Sequence, residues 1–166
     1  MTVAPPPAAR LAVFPPIRAS SFAFGEGEQS SRDAARFGEG ASHEAGKPRA
    51  LVVDDAPDVT EMLSFALRYA GYEVVPAFSG EQALREASAG SFDVVVSDIG
   101  MPGMSGYELA ERLRGLDDYR QTPLIAVTGF SMYDDRDRAL ASGFNAFVNK
   151  PVNPRDLIAL IERLRG

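Results

Sequence analysis

The chain has 166 residues, a net charge of −6 and no cysteine. That length holds one ordinary domain with residues to spare. The negative balance argues against non-specific binding to nucleic acid or to anionic membrane surfaces, and the missing thiols exclude disulfides and thiolate metal sites.

Residues 1–48 differ from the rest. They hold six of the 12 prolines and show no sustained period of 3.6 or 2. Such composition buries too little apolar surface to offset the entropy of ordering it, which predicts a disordered Pro/Ala/Gly/Ser-rich tail. Its five basic and five acidic residues cancel, so the whole −6 belongs to residues 49–166. Two short apolar clusters stand out in it, Leu11-Ala12-Val13-Phe14 and Phe22-Ala23-Phe24, either docking points or incidental. His43, the only histidine, lies there too and reads as a solvated tail residue. One histidine and no cysteine leave no room for zinc sites or for Ser-His-Asp and Cys-His catalysis. Prolines at 5, 6, 7, 15 and 16 break any signal-like pattern. No apolar run approaches the roughly 20 residues of a membrane span. A soluble, cytoplasmic protein is the expectation.

From residue 49 strand and helix patterns alternate. Ala50–Val53 forms an apolar run that ends on Asp54-Asp55. Val59, Met62, Leu63, Ala66, Leu67 and Ala70 then recur at helical spacing, with Asp58 as the expected N-cap, Glu61 as its capping-box partner and Gly71 as the stop. A strand at Glu73–Val75 and a helix near Gly80–Ala89 follow. The run Val94–Val96 leads to Asp98, and Ser105 opens a helix to about Leu116 with Tyr107, Leu109, Ala110 and Leu113 as core candidates. Leu124–Val127 ends on Thr128, a helix is expected near Met132–Ala141, and Ala146–Val148 leads to Lys150-Pro151. A last helix from Asn153 carries Leu157, Ile158, Leu160, Ile161 and Leu164.

Five strands alternating with five helices predict a parallel, doubly wound sheet covered on both faces. Ligands bind such sheets outside the carboxyl ends of the strands. Asp54, Asp55, Asp98, Thr128 and Lys150 all fall at those ends. The lysine is notable in a chain whose 17 basic residues are arginine except for Lys47 and Lys150. An ammonium is a compact point charge where a guanidinium is a broad planar fork. Packed carboxylates repel one another unless a cation sits among them, and an oxygen-only ligand set suits Mg²⁺ or Mn²⁺. Lys150 and the Thr128 hydroxyl then suit phosphoryl oxygens, and Gly100 and Gly129 let backbone N–H groups come close. There is no glycine-rich nucleotide-phosphate loop.

Taken together, Val52-Val53-Asp54-Asp55, Ser97-Asp98-Ile99-Gly100-Met101-Pro102-Gly103-Met104-Ser105-Gly106, Val127-Thr128-Gly129 and Asn149-Lys150-Pro151 resemble a response-regulator receiver domain of two-component signalling, over residues 49–166. Thr128-Gly129-Phe130 and Ala139-Leu140-Ala141-Ser142-Gly143-Phe144 are similar to receivers of hybrid sensor kinases. The resemblance implies the chemotaxis-receiver strand order 2-1-3-4-5. It implies that Asp98 is the nucleophile, taking a phosphoryl group from a phosphohistidine on a sensor histidine kinase or a histidine phosphotransfer protein. Asp54, Asp55, Asp98 and the Gly100 carbonyl would hold Mg²⁺ and Lys150 would contact the phosphoryl group. Thr128 would swing toward that group, Phe147 would move inward as the switch aromatic, and Lys150-Pro151 would be cis. Gly100 and Phe130 flank the site without a side chain able to position a hydrolytic water, which predicts slow-to-moderate self-dephosphorylation.

Such a chain is a phosphoacceptor rather than an effector enzyme. No effector segment follows the last helix, so the expectation is a stand-alone receiver signalling through protein partners on its helix 4–strand 5–helix 5 face. Three other readings fit less well. An aspartate-nucleophile phosphohydrolase wants two acids two residues apart after the first strand, where this chain has Asp54-Asp55-Ala56. A flavin carrier of the same topology wants hydroxyls and glycine there. A phosphorylation-independent binding module usually lacks an acid or the lysine.

Overall fold

The computed structural model describes residues 46–129 and 133–166. Almost all of the expected tail, including His43, and Phe130 and Met132 lie outside the described residues. The elements are β1 (Arg49–Val53), α1 (Pro57–Tyr69), β2 (Glu73–Ala77), α2 (Gly80–Ala89), β3 (Val94–Asp98), α3 (Gly106–Arg114), β4 (Leu124–Thr128), α4 (Tyr133–Ala141), β5 (Ala146–Asn149) and α5 (Pro154–Arg165). A short 3-10 turn at Asp117–Tyr119 links α3 to β4.

The five strands form one parallel sheet in the order β2-β1-β3-β4-β5, the expected topology. Its registers pair Val53 with Ser97, Asp98 with Val127 and Thr128 with Asn149, which levels the strand ends that carry the motif residues. Strand residues feed two cores by turns. Leu51, Val53, Val95 and Leu124 pack with Leu109 and Leu113 on one face. Val52, Val94, Val96 and Ile125 pack with Leu63, Leu67, Leu157 and Ile161 on the other. β3 and β4 are central, covered on both sides and buried from end to end, which is why Val94–Val96 and Leu124–Val127 read as continuous apolar runs rather than alternating ones.

Local chemistry fixes most helix starts. The Ser79 and Ser105 hydroxyls accept from Gln82 N and Glu108 N, and the Asn153 side chain accepts from Arg155 N. The expected N-cap at Asp58 is corrected: Ala56 is the N-cap, and Asp58 lies inside the first turn. Pro57 sets that boundary, because its ring pre-orients the first helical residue and its missing N–H needs no partner there. Asp58 instead places its charge near the positive end of the helix.

Two further expectations shift. β2 continues through Pro76 to Ala77, which an edge strand tolerates because one row of its N–H groups has no strand to meet. The buried stripe of α1 is Thr60, Leu63, Ser64 and Leu67, while Met62 and Ala70 are exposed. The core candidates of α3 are all buried. In α5, Leu157, Leu160 and Ile161 are buried, and Ile158 and Leu164 pack half-buried against them.

Candidate functional site: an acid cluster and a lysine at the carboxyl edge of the sheet

β1, β3 and β5 deliver the four charges. Asp54 and Asp55 follow the last residue of β1, Asp98 closes β3, and Lys150 follows β5. Ligand oxygens of Asp54, Asp55 and Asp98 lie within 4.8 Å of one another, with Asp54 and Asp98 buried and Asp55 exposed. The Lys150 Nζ stands 2.8 Å from Asp54 Oδ2 and 3.2 Å from Asp98 Oδ1. One ammonium thus bridges two of the three carboxylates, and Asp55 stands at the open side.

The backbone holds this geometry. Asp54 N donates to the Ala77 carbonyl at 3.1 Å, which ties the acid pair to the end of β2. Asp54 Oδ1 accepts from Ala56 N at 2.9 Å, and the Thr60 hydroxyl donates to the Asp54 carbonyl at 2.9 Å. With its other oxygen on Lys150, Asp54 is fixed as part of the frame. Lys150 N donates to the Thr128 carbonyl at 2.8 Å, and Ile99 N donates to the Val127 carbonyl at 3.1 Å. The Lys150-Pro151 bond is cis, as expected.

Electrostatics follow from burial. Burial pushes the Asp98 carboxyl above its ordinary value, and the nearby Asp54 charge adds to this against the opposing pull of Lys150. Burial also works against the charged form of Lys150, but its bonds to Asp54 and Asp98 outweigh that and raise it above the usual lysine value. The site therefore keeps a firm cation beside an acid whose ionised form is disfavoured by its surroundings.

Thr128 is buried at the end of β4, beside the β5 end that carries Lys150. Gly100 is exposed, two residues beyond Asp98. Phe147, three residues before Lys150, is half-buried against the core on the α2–α3 face. The Gly129 reading changes in one respect. A Cβ built there meets nothing within 4 Å, so crowding in the chain itself does not call for glycine.

Sequence reasoning missed three supports. Thr60 was passed over because a threonine within a helix carries no signature of a bond back to the preceding strand end. Gly106 packs so tightly under the Asp98–Ile99 backbone that a Cβ would meet the Asp98 carbonyl oxygen at 2.2 Å, and its N–H donates to the Ile99 carbonyl. A glycine at the first position of a helix was the available signal. Arg114 donates to the carbonyls of Tyr119, Thr122 and Gly143 and to Asn145 Oδ1, clamping the end of α3 to the loop between α4 and β5. Nothing local in the sequence marks it among so many arginines.

Three clustered acids, a lysine across from them and levelled parallel strand ends define a doubly wound α/β protein with an acid-and-lysine cluster at its carboxyl edge. The chain belongs to the response regulator receiver domain family, whose model matches residues 50–162, and so is a receiver domain of two-component signalling. It is 41% identical over 113 residues to an uncharacterized 14.6 kDa protein from the sodA1 3′ region of Leptolyngbya boryana, covering 68% of this chain and 86% of that one. It spans about half the length of other curated relatives, such as the transcriptional regulatory protein PrrA of Mycobacterium tuberculosis, 37% identical over 117 residues. Among solved structures it is similar to the chemotaxis response regulator CheY4 of Vibrio cholerae, with a TM-score of 0.68, 34% identity and coverage of 71% and 98% of the two chains. It is also similar to the receiver domain of the Pseudomonas aeruginosa sensor histidine kinase PA1611, whose active-site cleft coordinates a magnesium ion, with a TM-score of 0.67, 30% identity and coverage of 74% and 99%. No helix among the described residues is long and apolar enough to cross a membrane.

Proposed function

We propose that this receiver accepts a phosphoryl group on Asp98 from the phosphohistidine of a sensor histidine kinase or a histidine phosphotransfer protein, and signals through protein partners. The observation that carries it is the Lys150 ammonium held 2.8 Å from Asp54 and 3.2 Å from Asp98 at the mouth of a three-acid cluster. An oxygen-only donor set with one member open to solvent fits a hard divalent cation that keeps several waters. Asp54, Asp55 and Asp98, with the Gly100 carbonyl, would hold Mg²⁺, with Mn²⁺ as the substitute. Bound there, the ion would neutralise charge on the phosphoryl oxygens.

The chain's own residues do the rest by position. An Asp98 carboxylate oxygen forms a bond to phosphorus as the phosphorus–nitrogen bond to the donor imidazole breaks, and the nitrogen keeps the electron pair. Lys150 leaves Asp98 for a phosphoryl oxygen and keeps Asp54 as its partner. The Thr128 hydroxyl turns toward another phosphoryl oxygen, and Phe147 fills the vacated space, altering the α4–β5–α5 face that a downstream protein reads. Phenylalanine has no hydroxyl, so that change is transmitted by packing. The protein is a phosphoacceptor rather than a turnover enzyme, works in the cytoplasm and needs no nucleic acid. Gly100 offers no side chain to a hydrolytic water, which favours slow-to-moderate self-dephosphorylation.

Incubation with acetyl phosphate and Mg²⁺ should add about 80 Da, and Asp98→Asn should abolish the gain. A gain that persists in Asp98→Asn overturns the assignment. A phosphoryl half-life of about a second or less sinks the slow-to-moderate dephosphorylation reading alone.

A further inference from the structure

The outer face of α1 is built the wrong way round for a solvent face. Met62, Phe65 and Tyr69 are 42%, 73% and 89% exposed. Their i, i+3, i+7 spacing puts them in one line, on the opposite side of the helix from Leu63 and Leu67. A surface helix ordinarily carries charge there, and a line of large apolar side chains rimmed by polar ones marks a contact surface. The rim is ordered: Asp58 and Glu61 lie toward the N-terminal end of α1 and Arg68 toward its C-terminal end.

We propose that the segment Phe22-Ala23-Phe24 of this same chain seats on that line, covering α1 in cis. Three observations select this occupant. First, the N-terminal segment joins the fold next to the stripe: Pro48 accepts a hydrogen bond from Glu73 N, so it enters beside the start of β2, just beyond the C-terminal end of α1. Second, the reach suits it. A random-coil tether with as many residues as separate Phe24 from Pro48 would span about 27 Å, while α1 is roughly 20 Å long. A tether matched to its span presents its end at an effective concentration of about millimolar.

Third, shape and charge agree. In an extended segment Phe22 and Phe24 point the same way, about 7 Å apart, within the roughly 10 Å from Met62 to Tyr69 along the helix. Arg18 precedes the two phenylalanines, and Glu26 and Glu28 follow them. Laid parallel to α1, so that its later residues head toward Pro48, the segment runs from a basic to an acidic end, opposite in sign to the acidic-to-basic run of the α1 rim. The other apolar cluster, Leu11–Phe14, is followed by Pro15-Pro16 and has no acidic residue near it. The proposal is independent of phosphoryl transfer.

A native chain without cysteine allows a single nitroxide label through Ser20→Cys in the full-length protein. Amide relaxation should then show strong broadening at Met62, Phe65 and Tyr69, unchanged on dilution, without Mg²⁺ or a phosphodonor. Phe22→Ser with Phe24→Ser should abolish it, as should Phe65→Ser from the other side, a surface change that leaves both cores intact. No broadening beyond that caused by free nitroxide overturns the proposal and leaves the face to another protein. Broadening on isotope-enriched, unlabelled molecules mixed with labelled ones also overturns it, in favour of a second copy.

Discussion

Replacing Gly106 with alanine sets a methyl group 2.2 Å from the Asp98 carbonyl oxygen, 2.8 Å from the Ile99 Cα and 3.0 Å from the Asp98 carbonyl carbon. Even a close carbon–oxygen approach is about 3.3 Å, so roughly an ångström has to come from backbone, since all three of these neighbours are main chain. Helix propensity pulls the other way, favouring alanine over glycine by up to about 1 kcal/mol. The clash decides the sign, because the atoms that must give belong to the residue whose carboxylate faces Lys150. We expect Gly106→Ala to lose about 1–3 kcal/mol in urea unfolding, the usual cost of forcing extra volume into a packed region. Phosphoryl incorporation from acetyl phosphate should also slow, because the Asp98 main chain moves with the loop. Gly129→Ala is the matched control: its Cβ meets nothing within 4 Å, so its stability should stay within about 0.5 kcal/mol of the parent. A Gly106→Ala variant as stable as the parent, or a Gly129→Ala variant as damaged as Gly106→Ala, refutes the packing argument.

Burial raises the Asp98 carboxyl above its ordinary value, so the folded state holds that proton to higher pH than the unfolded chain does. In EDTA, stability should therefore fall as pH rises from the ordinary aspartate value through the raised one, and then level off. Asp98→Asn should remove that decline and be roughly 1–2 kcal/mol more stable at neutral pH; an unchanged pH profile in chemical denaturation counts against it. Mg²⁺ should raise the midpoint of thermal unfolding, by about 2.7 kcal/mol of stability at a hundredfold excess over its Kd. Asp55→Asn should lose most of that increment while folding normally without metal, and an intact increment would remove Asp55 from the ligand set. Arg114→Met should cost roughly 2–4 kcal/mol in urea unfolding, because four acceptors on two loops lose a charged donor at once. A loss under about 0.5 kcal/mol would mean that those loops hold without the clamp.

Local pattern alone carried the doubly wound sheet and the identity of the charged set. Apolar runs at Leu51–Val53, Val94–Val96 and Leu124–Val127 make sense only for strands covered on both faces, and each motif residue stands at a run's carboxyl end. Parallel topology then leaves those ends nowhere to go but together. Helix starts were legible where a side chain does the capping, as at Ser105 and Asn153, and misread where a proline does it, as at Pro57. The strand order rested on resemblance, because periodicity does not say which strands are neighbours.

Tertiary structure alone decided how the charges share their bonds. That Lys150 bridges Asp54 and Asp98 and leaves Asp55 to the open side depends on distances across β1, β3 and β5, elements as much as 96 residues apart in the chain. It also turned α1 over: an apolar count along the helix enrols Met62 in the core, whereas packing against the sheet buries Thr60 and Ser64 and leaves Met62, Phe65 and Tyr69 in the open. A sequence records which side chains are apolar at helical spacing. Which of two overlapping stripes meets the sheet is settled only when the whole helix docks.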